Sequence, residues 1–312
     1  MTAEQTQRIR NCVPSEEKHP GRDKISQGRL NSLANIHCIS AQILATVGFS
    51  TVLLLSCAHQ PAKAESPHTS GSATSAQSES DSPYATGPMT SARAEVLVAH
   101  EGRTEADRLK DERRKPTRLL PFLELQPGQR VADLGAGDGY TTELIARGIG
   151  PEGVLFAQNN SYSLTNFVGK SWPTRLKRTV MKQVVRVDAE FESPLPAEAH
   201  SLDLITLLFS YHDVIAGGYD VASMNAAIFS SLRPGGLYVI ADHRAAMDAS
   251  ESVEKEKHRI KESKVISQVE TAGFILVEEA HFLDDPSDDL TAISYKIDFK
   301  TDRFLLKFRK PQ

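Results

Sequence analysis

An α/β domain, with helices covering both faces of a mainly parallel, doubly wound sheet, is predicted for residues 94–312 on three observations. Short apolar runs alternate with longer helical ones from Arg130 onward, and that alternation implies right-handed crossovers between parallel strands. The first apolar run ends in an acid followed by three glycines at alternate positions, "VADLGAGDGY", Val131 to Tyr140. The last two apolar runs are joined without a helix, through the polar and acidic "HFLDDPSDDLTAISYKIDFKTD". Those two should pair as an antiparallel hairpin at the sheet edge, an exception that such sheets tolerate.

Two segments precede this domain. "ISAQILATVGFSTVLLLSC", Ile39 to Cys57, is apolar but short for a stable span, and Arg22, Lys24 and Arg29 give it a basic flank, which suits a signal-peptide core. Its end, Leu54-Leu55-Ser56-Cys57, resembles a bacterial lipoprotein signal. That resemblance implies cleavage before Cys57, lipidation of Cys57, and a protein held at the bacterial cell envelope on the periplasmic side. An uncleaved N-terminal anchor helix is the alternative. From Ala58 to about Arg93 the chain is dense in Ser, Ala, Thr, Pro and Gly, with almost no large apolar residue. Such a stretch buries too little surface to offset its ordering entropy and reads as a disordered tether.

Within the domain, "AEVLVAHEG" and "ADRLKDERRKPTRLLPFLEL" predict two or three short N-terminal helices broken at Pro116. The alternating part then predicts strands at Arg130–Leu134, Gly153–Gln158, Val184–Val187, Leu202–Phe209, Leu237–Asp242, Phe274–Ala280 and Arg303–Arg309. Helices are expected at Tyr140–Arg147, around Leu164–Met181, at Val221–Leu232 and at Glu251–Thr271.

Composition removes several functions. A net charge of −4 with acids and bases interleaved, and no basic stripe carrying aromatics, argues against a nucleic-acid partner. All three cysteines, Cys12, Cys38 and Cys57, lie before the domain, which excludes thiol catalysis, cysteine zinc sites and disulfides from it.

The turn after the first strand is the natural ligand site of such a sheet. Its spacing is wrong for a dinucleotide fingerprint, which needs glycine where Tyr140 stands, and Tyr140-Thr141-Thr142 lacks the lysine of a P-loop. Asp133 and Asp138 flank the turn; two carboxylates there would repel a pyrophosphate and favour a cationic head.

"VADLGAGDGY" resembles the first motif of class I S-adenosylmethionine-dependent methyltransferases, with "GVLFAQNN", "VRVDAEF", "LDLITLLFSYHD" and "LRPGGLYVIADH" at the following stations. The span from about residue 94 to the end also resembles a group of predicted secreted bacterial methyltransferases, through "SYHD", "MNAAIFSSLRPGG", "KHRI" and "DRFLLKFRKP". The resemblance implies a Rossmann-like seven-stranded sheet in the order 3-2-1-4-5-7-6, S-adenosylmethionine as cofactor, and a small-molecule or surface acceptor. It also implies that Asp133, Gly135, Ala136, Gly137 and Gly139 cradle the methionine part, that Gln158 and Asn159 face the ribose, and that Asp188 and Ala189 lie near the adenine. The family ends its second strand in an acid; here stand Gln158, Asn159 and Asn160, and an amide offers one acceptor oxygen where a carboxylate offers two.

A polar cluster completes the reading. Tyr211, His212 and Asp213 follow the fourth strand, and Asp242 with His243 ends the fifth. Methyl transfer asks a protein to align the acceptor and remove its proton, so His212 or His243 is expected as base, with Asp213 or Asp242 orienting it. Tyr211, His258 and Arg259 are expected at the acceptor, Arg259 holding a carboxylate. No metal is assigned at this stage, although the His/Asp cluster leaves a metal-dependent enzyme open. A binding protein for a nucleoside or cationic metabolite also stays open. The run Asp284 to Asp289, "DDPSDD", reads as a solvated loop, and Asp302 with Arg303 as an exposed charge pair.

Overall fold

Among the residues described by the computed structural model, Tyr84 and 86–312, seven strands form one sheet. They are β1 (Arg130–Leu134), β2 (Val154–Asn159), β3 (Val184–Asp188), β4 (Leu202–Leu208), β5 (Leu232–His243), β6 (Ile275–Glu279) and β7 (Arg303–Arg309). Their order is β3-β2-β1-β4-β5-β7-β6. The first five are parallel, β7 is antiparallel to β5, and β6 is antiparallel to β7. The expected order and the antiparallel closing pair are therefore present. The leader, Cys57 and most of the expected tether lie outside the described residues.

Alternation along each strand loads both faces. Val131, Leu155, Leu204 and Val239 belong to one buried cluster, while Ala132, Phe156, Ile205 and Ile240 belong to the other. The first cluster is covered by α1 (Ser91–Ala99), α3 (Pro116–Phe122), α4 (Tyr140–Ile149) and α5 (Ser171–Leu176); α2 (Glu105–Arg114) lies on this side through polar contacts. The second is covered by α6 (Tyr211–Ala216), α7 (Val221–Ser231) and α9 (Glu262–Thr271).

Some elements differ from expectation. Helix α1 starts at Ser91, capped by the Thr90 hydroxyl, so residue 94 lies inside it. The stretch around Leu164–Met181 breaks into short pieces, including a π turn at Leu164–Val168 that closes on Gly169, where a Cβ would meet the Leu164 carbonyl at 2.4 Å. The single helix expected over Glu251–Thr271 is two, α8 (Glu251–Lys257) and α9. Between them His258 adopts φ 50°, and the Ile260 N–H donates to the His243 carbonyl. The break comes from tertiary pairing with β5: neither Gly nor Pro marks it.

A buried ionic network ties α2 to α4 and α5. Glu143 on α4, 2% exposed, accepts from Arg147, Arg175 and Arg178. Arg175 also forks onto Asp107 of α2 at 2.8 and 2.9 Å. Asp111 of α2 accepts two bonds from Arg103, each 2.7 Å, and one from the Tyr140 hydroxyl at 2.7 Å. Removing one partner of such a network leaves the others charged in low dielectric. Glu143→Gln should therefore cost about 3–5 kcal/mol in urea unfolding. A loss below about 1 kcal/mol, the scale of a surface pair, would contradict the network's role.

Candidate functional site

Between β1 and α4 the chain turns through Gly135, Gly137 and Gly139, whose φ values are 62°, 60° and 84°. Gly139 is the N-cap of α4 and packs under Trp172 and Arg175, so a Cβ there would meet both within 2.6 Å. Gly137 is different: a Cβ on it would meet nothing closer than the Gly135 carbonyl at 3.9 Å, because that face opens on a cleft. Ala136, buried, donates its N–H to the Gln158 carbonyl at 2.9 Å.

Two side-chain amides fix the turn. Gln158 accepts from the Gly135 N–H at 2.9 Å and donates to the Ala189 carbonyl at 2.6 Å. Asn159 accepts from the Gly137 N–H at 2.8 Å and donates to the Gly137 carbonyl at 3.1 Å, gripping both sides of one residue. Both side chains are fully buried. Their oxygens are directed at the turn, and the ribose role expected for them is not the one seen here. Asn160 is likewise engaged, capping Ser163 and donating to the Tyr219 hydroxyl.

The two acids of the turn are balanced by neighbours. Asp133 is 2% exposed and accepts from the Thr142 and Thr206 hydroxyls at 2.6 and 2.7 Å. Burial pushes its carboxyl above the ordinary range, with the two hydroxyls opposing. Asp138 pairs with Lys110 of α2 at 2.6 Å. Lys110, Arg113 and Arg114 line the same cleft, of about 420 Å³. Sequence reasoning missed these cations, so the expected field favouring a purely cationic head is corrected to one with both signs. Arg114 stacks over Phe209 at 4.1 Å and, among the described residues, makes no ion pair; burial lowers its guanidinium to about 10. The signal was present: Asp107, Lys110, Asp111 and Arg114 recur at i, i+3, i+4 and i+7, one helix face.

A larger chamber of about 1010 Å³ adjoins this cleft and shares Gly135, Gly137, Arg113, Arg114, Phe209 and Ser210 with it. His212, Asp213, His243 and His258 all line the chamber. Asp242, fully buried, accepts from the His212 ring Nδ1 at 2.6 Å, from the His212 N–H at 2.8 Å and from the His243 N–H at 2.7 Å. Burial alone would lower the His212 imidazole, but the charge of Asp242, with Asp213 beside it, raises it to about 10. Burial works against Asp213, yet hydrogen bonds from His212 and His258 hold its carboxyl well below the usual range. His243 goes the other way: burial, then the charges of His212 and Arg114, hold it well below its ordinary value. His243 Nδ1 lies 2.6 Å from the Thr301 hydroxyl, a hydrogen bond whose direction follows the ring tautomer.

Other expected residues lie elsewhere. Tyr211 is fully buried and bonds Asn225 and Gln268 within the second core cluster. Arg259, 1% exposed, forks onto Asp288 at 2.7 and 3.1 Å and donates to the Ala292 and Arg244 carbonyls, so it staples the closing connection and is not presented to an acceptor. The acidic run is thus not simply solvated, because Asp288 is the buried partner. Asp302 pairs with Arg244, while Arg303 is buried and lines the chamber, which corrects the exposed pair. Asp188 pairs with Arg186 at the surface, and Ala189 serves as the acceptor for Gln158.

No family model matches the chain. The protein-L-isoaspartate O-methyltransferase of Aeropyrum pernix is 34% identical over 70 residues, which is 22% of this chain and 25% of the relative; the chain spans about a quarter of the curated relative it matches. A SAM-dependent methyltransferase from Aquifex aeolicus superposes with a TM-score of 0.48 at 16% identity, covering 71% of this chain and 98% of that one. Aeropyrum pernix fibrillarin, solved with natively bound S-adenosyl-L-methionine, gives a TM-score of 0.38 at 16% identity over 58% of this chain and 66% of its own.

The amide grip makes its own prediction. Asn159→Asp keeps the acceptor for the Gly137 N–H but sets a carboxylate against the Gly137 carbonyl. It should destabilise the fold by about 1–3 kcal/mol near neutral pH, and less on acidification as the protonated acid regains a donor. Unfolding midpoints equal to wild type across that pH range would contradict the grip.

Proposed function

We propose that the domain binds S-adenosylmethionine at the glycine turn and transfers its methyl group to an anionic small molecule held in the larger chamber. The observation that carries the reading is the open face of Gly137 in a cleft that buried Asp133 and Arg114 also line, Arg114 making no ion pair among the described residues. An amino-acid head carries an ammonium and a carboxylate, and this cleft is lined by groups of both signs with no side chain at Gly137 to fill it. A pyrophosphate fits less well, since the turn's Gly135 and Gly137 N–H groups already donate to Gln158 and Asn159.

When bound, S-adenosylmethionine supplies an electrophilic methyl group on a sulfonium. The rest falls to the chain's own residues. Arg113, Arg303 and Lys255 line the chamber and favour an acceptor bearing negative charge. Burial and the neighbouring charges hold His243 neutral, so in the tautomer whose Nδ1–H donates to Thr301 its Nε2 is the atom suited to take a proton from the acceptor. His212 is held as imidazolium and is therefore unsuited to act as that base. Phe209, Phe299 and Tyr295 line the chamber and help exclude water. A short curated match to a methyltransferase supports the same reading.

Calorimetric titration of the full chain with S-adenosylmethionine and S-adenosylhomocysteine tests it. Both should bind, Gly137→Val, which fills the open face and strains a left-handed position, should abolish binding, and Arg114→Ala should weaken it roughly tenfold to a hundredfold, the worth of a charge-assisted bond. No binding of either compound at millimolar concentration, or wild-type affinity in Gly137→Val, would overturn the assignment.

A further inference from the structure

Two helices that are distant in sequence bring two imidazoles and a carboxylate to one wall of the chamber. His212 and Asp213 open α6 after β4, and His258 ends α8 after β5. The Asp213 carboxylate lies between the rings, 3.2 Å from His212 Nε2 and 3.3 Å from His258 Nδ1, and the ligand-capable atoms of all three fall within 4.8 Å of one another. We propose that His212, Asp213 and His258 bind a divalent transition-metal ion, with Asp242 orienting His212.

The arrangement behind the three residues favours a metal over a mere hydrogen-bonded cluster. Asp242 takes three bonds in a fully buried position, one of them from His212 Nδ1, which turns His212 Nε2 toward Asp213. A carboxylate behind an imidazole is the arrangement that sets the tautomer and raises the basicity of a metal-ligating histidine. His258 is held with φ 50°, a strained conformation for a residue with a side chain, and its ring lies edge-on between His212 at 5.5 Å and Tyr295 at 5.0 Å. Strain of this kind persists where the surroundings over-determine it, commonly at a site of function.

Donor type names the ion. Two imidazoles and one carboxylate with open positions suit manganese, iron, cobalt, nickel or zinc, and match poorly the all-oxygen preference of magnesium or calcium. The open positions face a chamber that Arg113 and Arg303 also line, so the further ligand is water or an anionic oxygen donor. On binding, the ion displaces both protons directed at Asp213: the one on His212 Nε2 is released to solvent, and the one on His258 Nδ1 moves to Nε2 of the same ring, or to solvent where that ring is already doubly protonated. This site does not rest on the methyl-transfer reading.

The test is titration of the chelator-treated full chain with cobalt(II), followed by calorimetry and visible absorption. Ligation by Cys12, Cys38 or Cys57 would show an intense thiolate band, which nitrogen and oxygen ligands lack. The expected result is cobalt taken up without that band, lost in His258→Ala and in Asp213→Asn, and weakened roughly 10- to 100-fold in Asp242→Asn. His281→Ala, at an exposed His–Asp pair away from the chamber, should bind as wild type. His258 and Asp213 are at least one-third exposed, so those variants should fold, as circular dichroism would verify, and they decide the matter should Asp242→Asn not fold. Equal cobalt binding by wild type, His258→Ala and Asp213→Asn would overturn the proposal, as would no band-free binding by wild type at millimolar cobalt.

Discussion

The glycine turn at the carboxyl edge of this sheet depends on two amides that grip it. Three glycines with left-handed φ values would leave the backbone free to take many shapes, yet Gln158 and Asn159 tie Gly135 and Gly137 to β2 and to the residue after β3. An amide does this because it holds a donor and an acceptor side by side. A carboxylate in either position has no proton to offer the Gly137 or Ala189 carbonyl, so the amides at the end of β2 are accounted for by the turn itself. The result is a turn whose open face at Gly137 is fixed before any ligand arrives, which lowers the ordering cost of binding.

The same logic of buried polar satisfaction builds the rest of the site. Glu143 and Asp107 hold α2 against α4 and α5 through shared arginines, and α2 in turn delivers Lys110, Arg113 and Arg114 to the cleft. Asp242 collects two backbone N–H groups and an imidazole, and so couples the end of β5 to the start of α6. Its charge and that of Asp213 outweigh burial and raise the His212 imidazole, while burial first, and then the charges of His212 and nearby arginines, lowers that of His243. Two histidines in one chamber thus carry different protonation states because their partners differ.

Much of this was legible in the sequence. Short apolar runs, the helical stretches between them and the glycine turn located the strands to within a few residues at most ends, and the resemblance supplied their order. The carboxyl-edge placement of His212, Asp213, Asp242 and His243 followed from strand ends alone. What was not legible depends on tertiary partners. Arg259 looked free because its partner, Asp288, lies 29 residues away in a connection with no regular pattern. Tyr211 and His212 are adjacent, but successive residues of α6 are turned about 100° apart, so one enters the core and the other the chamber. The helix break at His258 carries no glycine or proline. The inward charge face of α2 could have been read from its spacing, but a charged face is usually solvated, and that default concealed Arg114.

The central claim, that the amides hold the turn in its binding shape without ligand, is tested most directly by amide hydrogen exchange of the free protein at Gly135 and Gly137. Both N–H groups donate to buried side-chain oxygens, so both should exchange slowly despite lying in a loop beside an open cleft. Exchange at the rate of an unprotected loop, becoming slow only when S-adenosylhomocysteine is added, would mean that the ligand makes the turn, and the account would be wrong.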